Sequence, residues 1–401
     1  MICIIGGGAT GLLVAANLQR HAPQLEFTIV EPGSLGGLAY ATQDPVHRLN
    51  VRAAKMSAWV DRPDDFANWA KVAPDSFAQR RAYGEYLRSL VDSRRVVKSR
   101  ALSVAVDGKV TLDDGQCIET TSVVLAMGHL ASLTAALPAW EALPDEALTA
   151  SRIVVLGSGL TCVDVLLSLE ARGYRGPVDV VSRHGWLPGA HQREVVAARM
   201  PNWPATFPSA RSVIAAARRH VSEGGSWQSG VDGIRTKVAA IWTSLPTAEK
   251  ARFVRHAGTV WNTVRHRVPV DVAEQIAGWK RQGRLRIHLG RIDEATSRSV
   301  RIRHAGQTTV LDGLVIDALG PSSKQHPLVE SLIAEGHARP GPLNLGVLAD
   351  LHGAIVDASG KPSSKLFTLG PLLRGELWET TAIPEIAAQA DALARRLMLR
   401  M

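Results

Sequence analysis

The chain has 401 residues, more than one ordinary hydrophobic core accommodates, so two domains are the default. Hydrophobic residues make up 46% of it, yet no apolar run reaches the ~20 residues that cross a bilayer, so a cytoplasmic protein without a membrane partner is expected. The net charge of +9 comes from scattered Lys and Arg, with no helix-turn-helix, finger or basic-region pattern, and reads as a field for phosphate-bearing or anionic small molecules rather than nucleic acid.

The first element runs from Ile2 to Glu31: a strand, a glycine turn at Gly6, Gly8 and Gly11, an Ala/Leu-rich helix and a second strand, FTIV, ending in an acid. This is the GxGxxG spacing of a dinucleotide-binding βαβ unit. The first glycine allows the tight turn, the second lets a pyrophosphate approach the backbone, and the third lets helix and strand pack closely. Glu31 stands where a carboxylate accepts hydrogen bonds from the adenosine ribose. The segment is no signal peptide, because it lacks a basic start and its removal would delete the first strand. Arg100 to Thr120 alternates as a small β-meander around Asp113-Asp114-Gly115, and Ser122 to Gly128 is a buried strand ending in a glycine.

Ile153 to Leu169 repeats the opening pattern with Gly157 and Gly159; Cys162 stands in place of the third glycine. Two such units imply two nucleotide sites. Arg183 follows the second strand of this unit, where NAD-specific domains carry an acid; a guanidinium there pairs with a 2′-phosphate and argues for NADPH. Residues 186–283 read as a helical insertion holding six of the ten tryptophans, with helices over Ala210 to Val221, Thr236 to Ile241 and Thr247 to Thr263. Strands resume at Leu285 and run to Gly320, and a closing helix spans Ile383 to Leu399. The three cysteines are far apart without a CxxC, against a metal cluster or redox disulfide, and Cys3 and Cys117 read as small buried hydrophobes. No metal site is expected.

Three further stretches carry a resemblance: Gly36-Gly37-Leu38-Ala39-Tyr40 with His47 to Val51 and Lys55-Met56-Ser57; Arg255-His256 with Trp261 to Arg267; and Gly370 to Gln389. In these the chain resembles the bacterial flavoproteins known as FAD/NAD(P)-binding proteins, which include proposed urate hydroxylases, and it is similar to the N-hydroxylating flavoprotein monooxygenases. The resemblance implies an α/β fold of two Rossmann-like dinucleotide-binding domains, the second inserted into the first. FAD would occupy an outer domain of residues 1–148 and 310–401, and NADPH an inserted domain of 149–309. Arg52 stands where relatives carry proline, and Val264 replaces the first histidine of an HRHR run.

On this resemblance Tyr40, Asn50, Met56, Ser57, Gly128, Gly370, Leu372 and Thr380 are expected around the flavin, with Asn50 on a ribityl or pyrimidine group and Met56 and Ser57 walling the ring. The backbone after Gly370 would offer positive charge to it. Arg374 and Trp378 would line its substrate side. Arg265 and His266 would hold an anionic or planar substrate, His266 as a proton relay. The bland alternative is an amphipathic helix with Trp261 inside and arginines in water. The activity implied is NADPH-driven hydroxylation of a small polar or anionic metabolite with O₂, through a flavin C4a-hydroperoxide. A urate-like ring hydroxylase, an NAD(P)H-dependent flavin reductase and a non-catalytic flavin-binding interaction protein stay open, as does a homodimer.

Overall fold

The computed structural model describes residues 1–129, 134–223, 225–320 and 325–399. Its first sheet has six strands in the order Ala354–Val356, Pro362–Thr368, Ser122–Leu125, Ile2–Ile5, Phe27–Val30 and Val96–Val97. All neighbours are parallel except the first pair. The central strands are buried on both faces, which is why they read as continuous apolar runs rather than alternating ones. One face packs on helices Ala9–His21 and Ile383–Met398, the other on the meander Ala101–Val104, Lys109–Leu112, Cys117–Glu119 and on helix Pro327–Ala334.

The second sheet is wholly parallel, in the order Leu285–Leu289, Val178–Ser182, Ile153–Leu156, Leu314–Asp317 and Leu137–Pro138. Helices Leu160–Ala171 and Val270–Arg281 cover one face through Val163, Leu166, Val272, Ile276 and Trp279. A second meander, Arg291–Ala295, Ser299–His304 and Gln307–Asp312, supplies Val300, Ile302 and Leu311 to the other. The two units therefore repeat one plan: strand, glycine turn, helix, strand, long excursion, strand, meander, closing strand. In the outer unit the excursion is 31–95, and in the inner unit it is 183–284.

This pairing moves both expected domain boundaries. Leu137–Pro138 and Leu314–Asp317 lie in the second sheet, so the inner unit starts before residue 148 and ends beyond 309. The helical insertion is shorter than 186–283, because Val270–Arg281 packs on the sheet as an ordinary layer helix. The expected helix over Thr247 to Thr263 is two, Thr247–His256 and Gly258–Arg265, broken at Ala257, whose φ of −123° leaves the helical region. Cys117 lies exposed on its meander, unlike the buried Cys3 and Cys162, because it lies on the outer strand of that sheet.

The units are bolted together where the helix Leu160–Ala171 meets the outer excursion. Arg80 and Asp164 form a two-pronged ion pair at 2.5 and 3.1 Å, mostly shielded from solvent. One turn on, the Ser168 hydroxyl donates to Asp44 at 2.5 Å and lies 2.9 Å from His47 Nε2. Among the described residues no helix is long and apolar enough to cross a membrane.

Candidate dinucleotide and substrate site

Gly6 has φ +109°, and a Cβ there would sit 2.6 Å from the Ala126 carbonyl oxygen. At Gly11 a Cβ would meet the Gly6 oxygen at 1.8 Å, so only glycine lets helix Ala9–His21 start against its strand. Above Gly8 the space is open save for Gly37 Cα at 3.9 Å, and the helix N-terminus has no side-chain cap. Glu31 closes the turn: its carboxylate accepts Gly7 N–H and Gly33 N–H, each at 2.7 Å. Each oxygen keeps a lone pair for a ribose hydroxyl. Uncapped N–H groups, an open cradle and an acceptor carboxylate fit the adenosine diphosphate end of a dinucleotide.

The second turn copies the first in its backbone and departs in its charge. Gly157 has φ +96°, and a Cβ there would lie 2.6 Å from the Ala318 oxygen, the same clash as at Gly6; above Gly159 nothing lies within 4 Å. Cys162, fully buried, replaces Gly11. Strand register sets Ser182 at the position of Glu31, since Ile5 pairs with Val30 and Leu156 with Val181. The Ser182 hydroxyl lies 2.8 Å from that of Ser158. Neither Ser182 nor Arg183 after it is a carboxylate, and Arg183 is exposed and in no ion pair among the described residues.

The C-terminal stretch splits into two parts. Gly370 (φ +68°) lies against Thr10 of the first helix, where a Cβ would sit 3.1 Å from its hydroxyl. Gln389 accepts Gly370 N–H at 2.7 Å and donates to Thr380 at 2.8 Å, and Thr380 donates to the Gly370 carbonyl at 3.1 Å. This closed ring fixes the loop at the first turn. Leu372 is buried behind it. Trp378, held at φ +59°, instead stacks on Trp242 of the insertion at 4.8 Å, with Arg374 over its ring at 4.8 Å. Trp242 donates its indole N–H to the Gly375 carbonyl at 2.7 Å.

Glu379 is the hub of the second part. It pairs with Arg265, accepts the Trp261 indole N–H at 2.6 Å, and has Arg235 at 3.9 Å; Arg235 pairs with Glu385 at 2.6 Å. Arg265 is thus engaged by an acid rather than free to hold an anion, although its Nη2 is buried without a hydrogen-bond partner among the described residues. Its Nη1 points at His266 Nε2, 2.6 Å away, so that nitrogen acts as acceptor. Burial, with the Arg265 charge beside it, pushes His266 down to about 3. His266 is therefore held in its neutral form. Burial likewise lowers Arg265 and Arg374. Arg255 and His256 face solvent.

The remaining expected residues scatter around the domain seam. Tyr40 meets Tyr83 edge-on at 4.8 Å, and burial pushes its phenol up to about 12. The Asn50 carbonyl lies 2.9 Å from His191 Nε2 of the inner unit. Arg52, in an extended conformation that proline also adopts, reaches the Asp75 and Gln192 carbonyls, the latter at 2.8 Å, and so links the units where proline would not. Met56 is only 1% exposed and belongs to the outer core, which does not suit a flavin wall. The Ser57 hydroxyl donates to the Arg62 carbonyl at 2.6 Å. Gly128 follows the strand beside the first turn with φ +68° and open space.

Between these parts lies a cleft of about 460 Å³, walled by residues 54–63, the start of helix Ile383–Met398 and the insertion. Lys55, Asp232, Arg235 and Glu385 supply its charge. Lys55 is exposed and forms no ion pair among the described residues. Arg235 and Asp232 escaped the sequence reading because they lie on an unremarkable amphipathic helix, and Glu385, though inside the stretch Gly370 to Gln389, meets them only through the fold.

Residues 3–130 match the family described as FAD-NAD(P)-binding. No curated protein matches the sequence. Among solved structures, the reduced form of ornithine hydroxylase from Pseudomonas aeruginosa matches at 16% identity and TM-score 0.64, over 99% of this chain and 98% of that one. The ornithine N-hydroxylase of Kutzneria sp. 744, with reduced FAD, NADP⁺ and L-ornithine, matches at 14% identity and TM-score 0.64, over 100% and 99%. Bacillithiol disulfide reductase from Bacillus cereus matches at 15% and 0.59, over 100% and 99%. At such identities the likeness is one of fold, the α/β architecture of two dinucleotide-binding units.

Proposed function

We propose that the protein is an FAD-dependent, NADPH-using monooxygenase that hydroxylates a small polar or anionic metabolite. The observation that carries this reading is the pair of glycine turns, alike in backbone and opposite in charge. Glu31 at the first favours free ribose hydroxyls, as in FAD. Ser182 and Arg183 at the second favour a 2′-phosphate, as in NADPH. Bound FAD would accept hydride from NADPH and pass electrons to O₂. The chain's own part is to bind both nucleotides, fix the loop at Gly370 through Gln389 and Thr380, and keep water from the seam between the units.

The 460 Å³ cleft, with both signs of charge on its walls, suits a small polar substrate, and Lys55 is its free cation among the described residues. The ornithine-hydroxylating neighbours favour an amine nitrogen as acceptor of the oxygen. The disulfide-reductase neighbour favours a reductase, but here Cys3 and Cys162 are buried and Cys117 lies on a distant meander, so no exposed cysteine pair serves it. Turnover under ¹⁸O₂ with candidate amines, amino acids and purines tests the proposal. One labelled oxygen in the product is expected. Product formed anaerobically, or labelled only from water, sinks the monooxygenase reading in favour of a reductase.

A further inference from the structure

We propose that the stacked rings of Trp186 and His184 form the platform for the adenine base of the nucleotide at the second glycine turn. This rests on the reading of that turn as a nucleotide site. Trp186 is the most exposed of the ten tryptophans, at 45%, whereas Trp242 and Trp279 of the neighbouring helices are buried. Its ring stacks on His184 at 5.2 Å with an interplanar angle of 20°. The outward ring face of such an exposed stack is costly to leave uncovered and matches the π-face of a base.

The loop that carries the pair is tied to the turn itself. The Ser158 hydroxyl, next to Gly157 and Gly159, donates to the Trp186 carbonyl at 2.7 Å. Gly185 N–H donates to the Ser182 hydroxyl at 3.3 Å, and Gly185 has φ +70°, a conformation that bends the chain between the two rings. Ser182 holds the ribose-facing position, and the base hangs from that same ribose. Residues 183–186 therefore divide the labour: Arg183 for the 2′-phosphate, the ring pair for adenine.

The test measures binding of 5′-AMP and 2′,5′-ADP to FAD-saturated protein, so that the first turn is not available to them. In Trp186→Leu both probes should weaken by roughly tenfold, the scale of one lost base–aromatic stack. Arg183→Ala should weaken 2′,5′-ADP alone. Because Trp186 is exposed, the leucine variant should melt with the wild type. Unchanged affinity for both probes in Trp186→Leu overturns the platform while leaving the nucleotide site standing. If the wild-type protein binds neither probe, the reading of the second turn fails and takes the platform with it.

Discussion

At Gly11 the argument reduces to one distance. A Cβ would sit 1.8 Å from the Gly6 carbonyl, so Gly11→Ala must push the helix off its strand and should yield protein that elutes without FAD. Gly115→Ala is the control: its φ of +83° strains a side chain by roughly 1–2 kcal/mol, but nothing crowds it, and FAD should be retained. Flavin absorbance after gel filtration checks both. Glu379 is the acidic counterpart. Its pair with Arg265 is almost wholly buried, so Glu379→Gln leaves a guanidinium without its counter-charge and should cost roughly 3–5 kcal/mol in denaturant unfolding. Glu379→Leu combined with Arg265→Met should recover part of that loss. Equal stability of wild type and Glu379→Gln would show that solvent already screens the pair.

Among the elements, those with a strong period or a backbone demand were legible from sequence. Both glycine turns, the buried strands and the meander at Gly115 follow from residues that admit few alternatives. What escaped depended on neighbours far along the chain. Val270–Arg281 reads like the insertion but belongs to the sheet layer, and Leu314–Asp317 reads like the outer domain but pairs with Ile153–Leu156. The helix pair Thr247–His256 and Gly258–Arg265 carries His266 at its end, and His191 sits at the seam. Burial is the main cause of both depressions, holding His191 down to about 4 and His266 to about 3. Both bind protons more readily when unfolded, where the usual value is near 6.5. Stability is therefore undiminished above about pH 6.5 and lost as pH falls towards 4 and 3, by at most about 1.4 kcal/mol per unit for each. Thermal melts between pH 7 and 4.5 should show this fall, and His266→Asn should flatten it. A slope identical in that variant would assign acid sensitivity elsewhere.

For the whole molecule, the seam decides whether two nucleotide sites work as one. Arg80 with Asp164, and Ser168 with Asp44 and His47, fix the inner helix on the outer excursion. Arg80→Met should leave FAD retention and 2′,5′-ADP affinity within about twofold while slowing flavin reduction by NADPH at least tenfold, because orientation and not affinity is disturbed. Stopped-flow reduction checks it, and an unchanged rate would mean that other contacts set the alignment. The sequence reading set Asn50 beside the flavin and noted Arg52 only as a departure from proline, so the seam was not legible there, and the ion pair itself joins two helices with no shared motif.

The order of strands has a consequence for how the chain is made. The inner unit is contiguous, and all of its sheet has been synthesised by Asp317. The outer sheet lacks the strand Pro362–Thr368, which lies beside Ser122–Leu125; the Thr368 hydroxyl reaches the Leu125 carbonyl across 243 positions. The helix Ile383–Met398 that covers Ala9–His21 arrives later still. Synthesis therefore supplies the second glycine turn with its whole sheet before the first has its own. The nucleotide site that begins the sequence is the last to be finished.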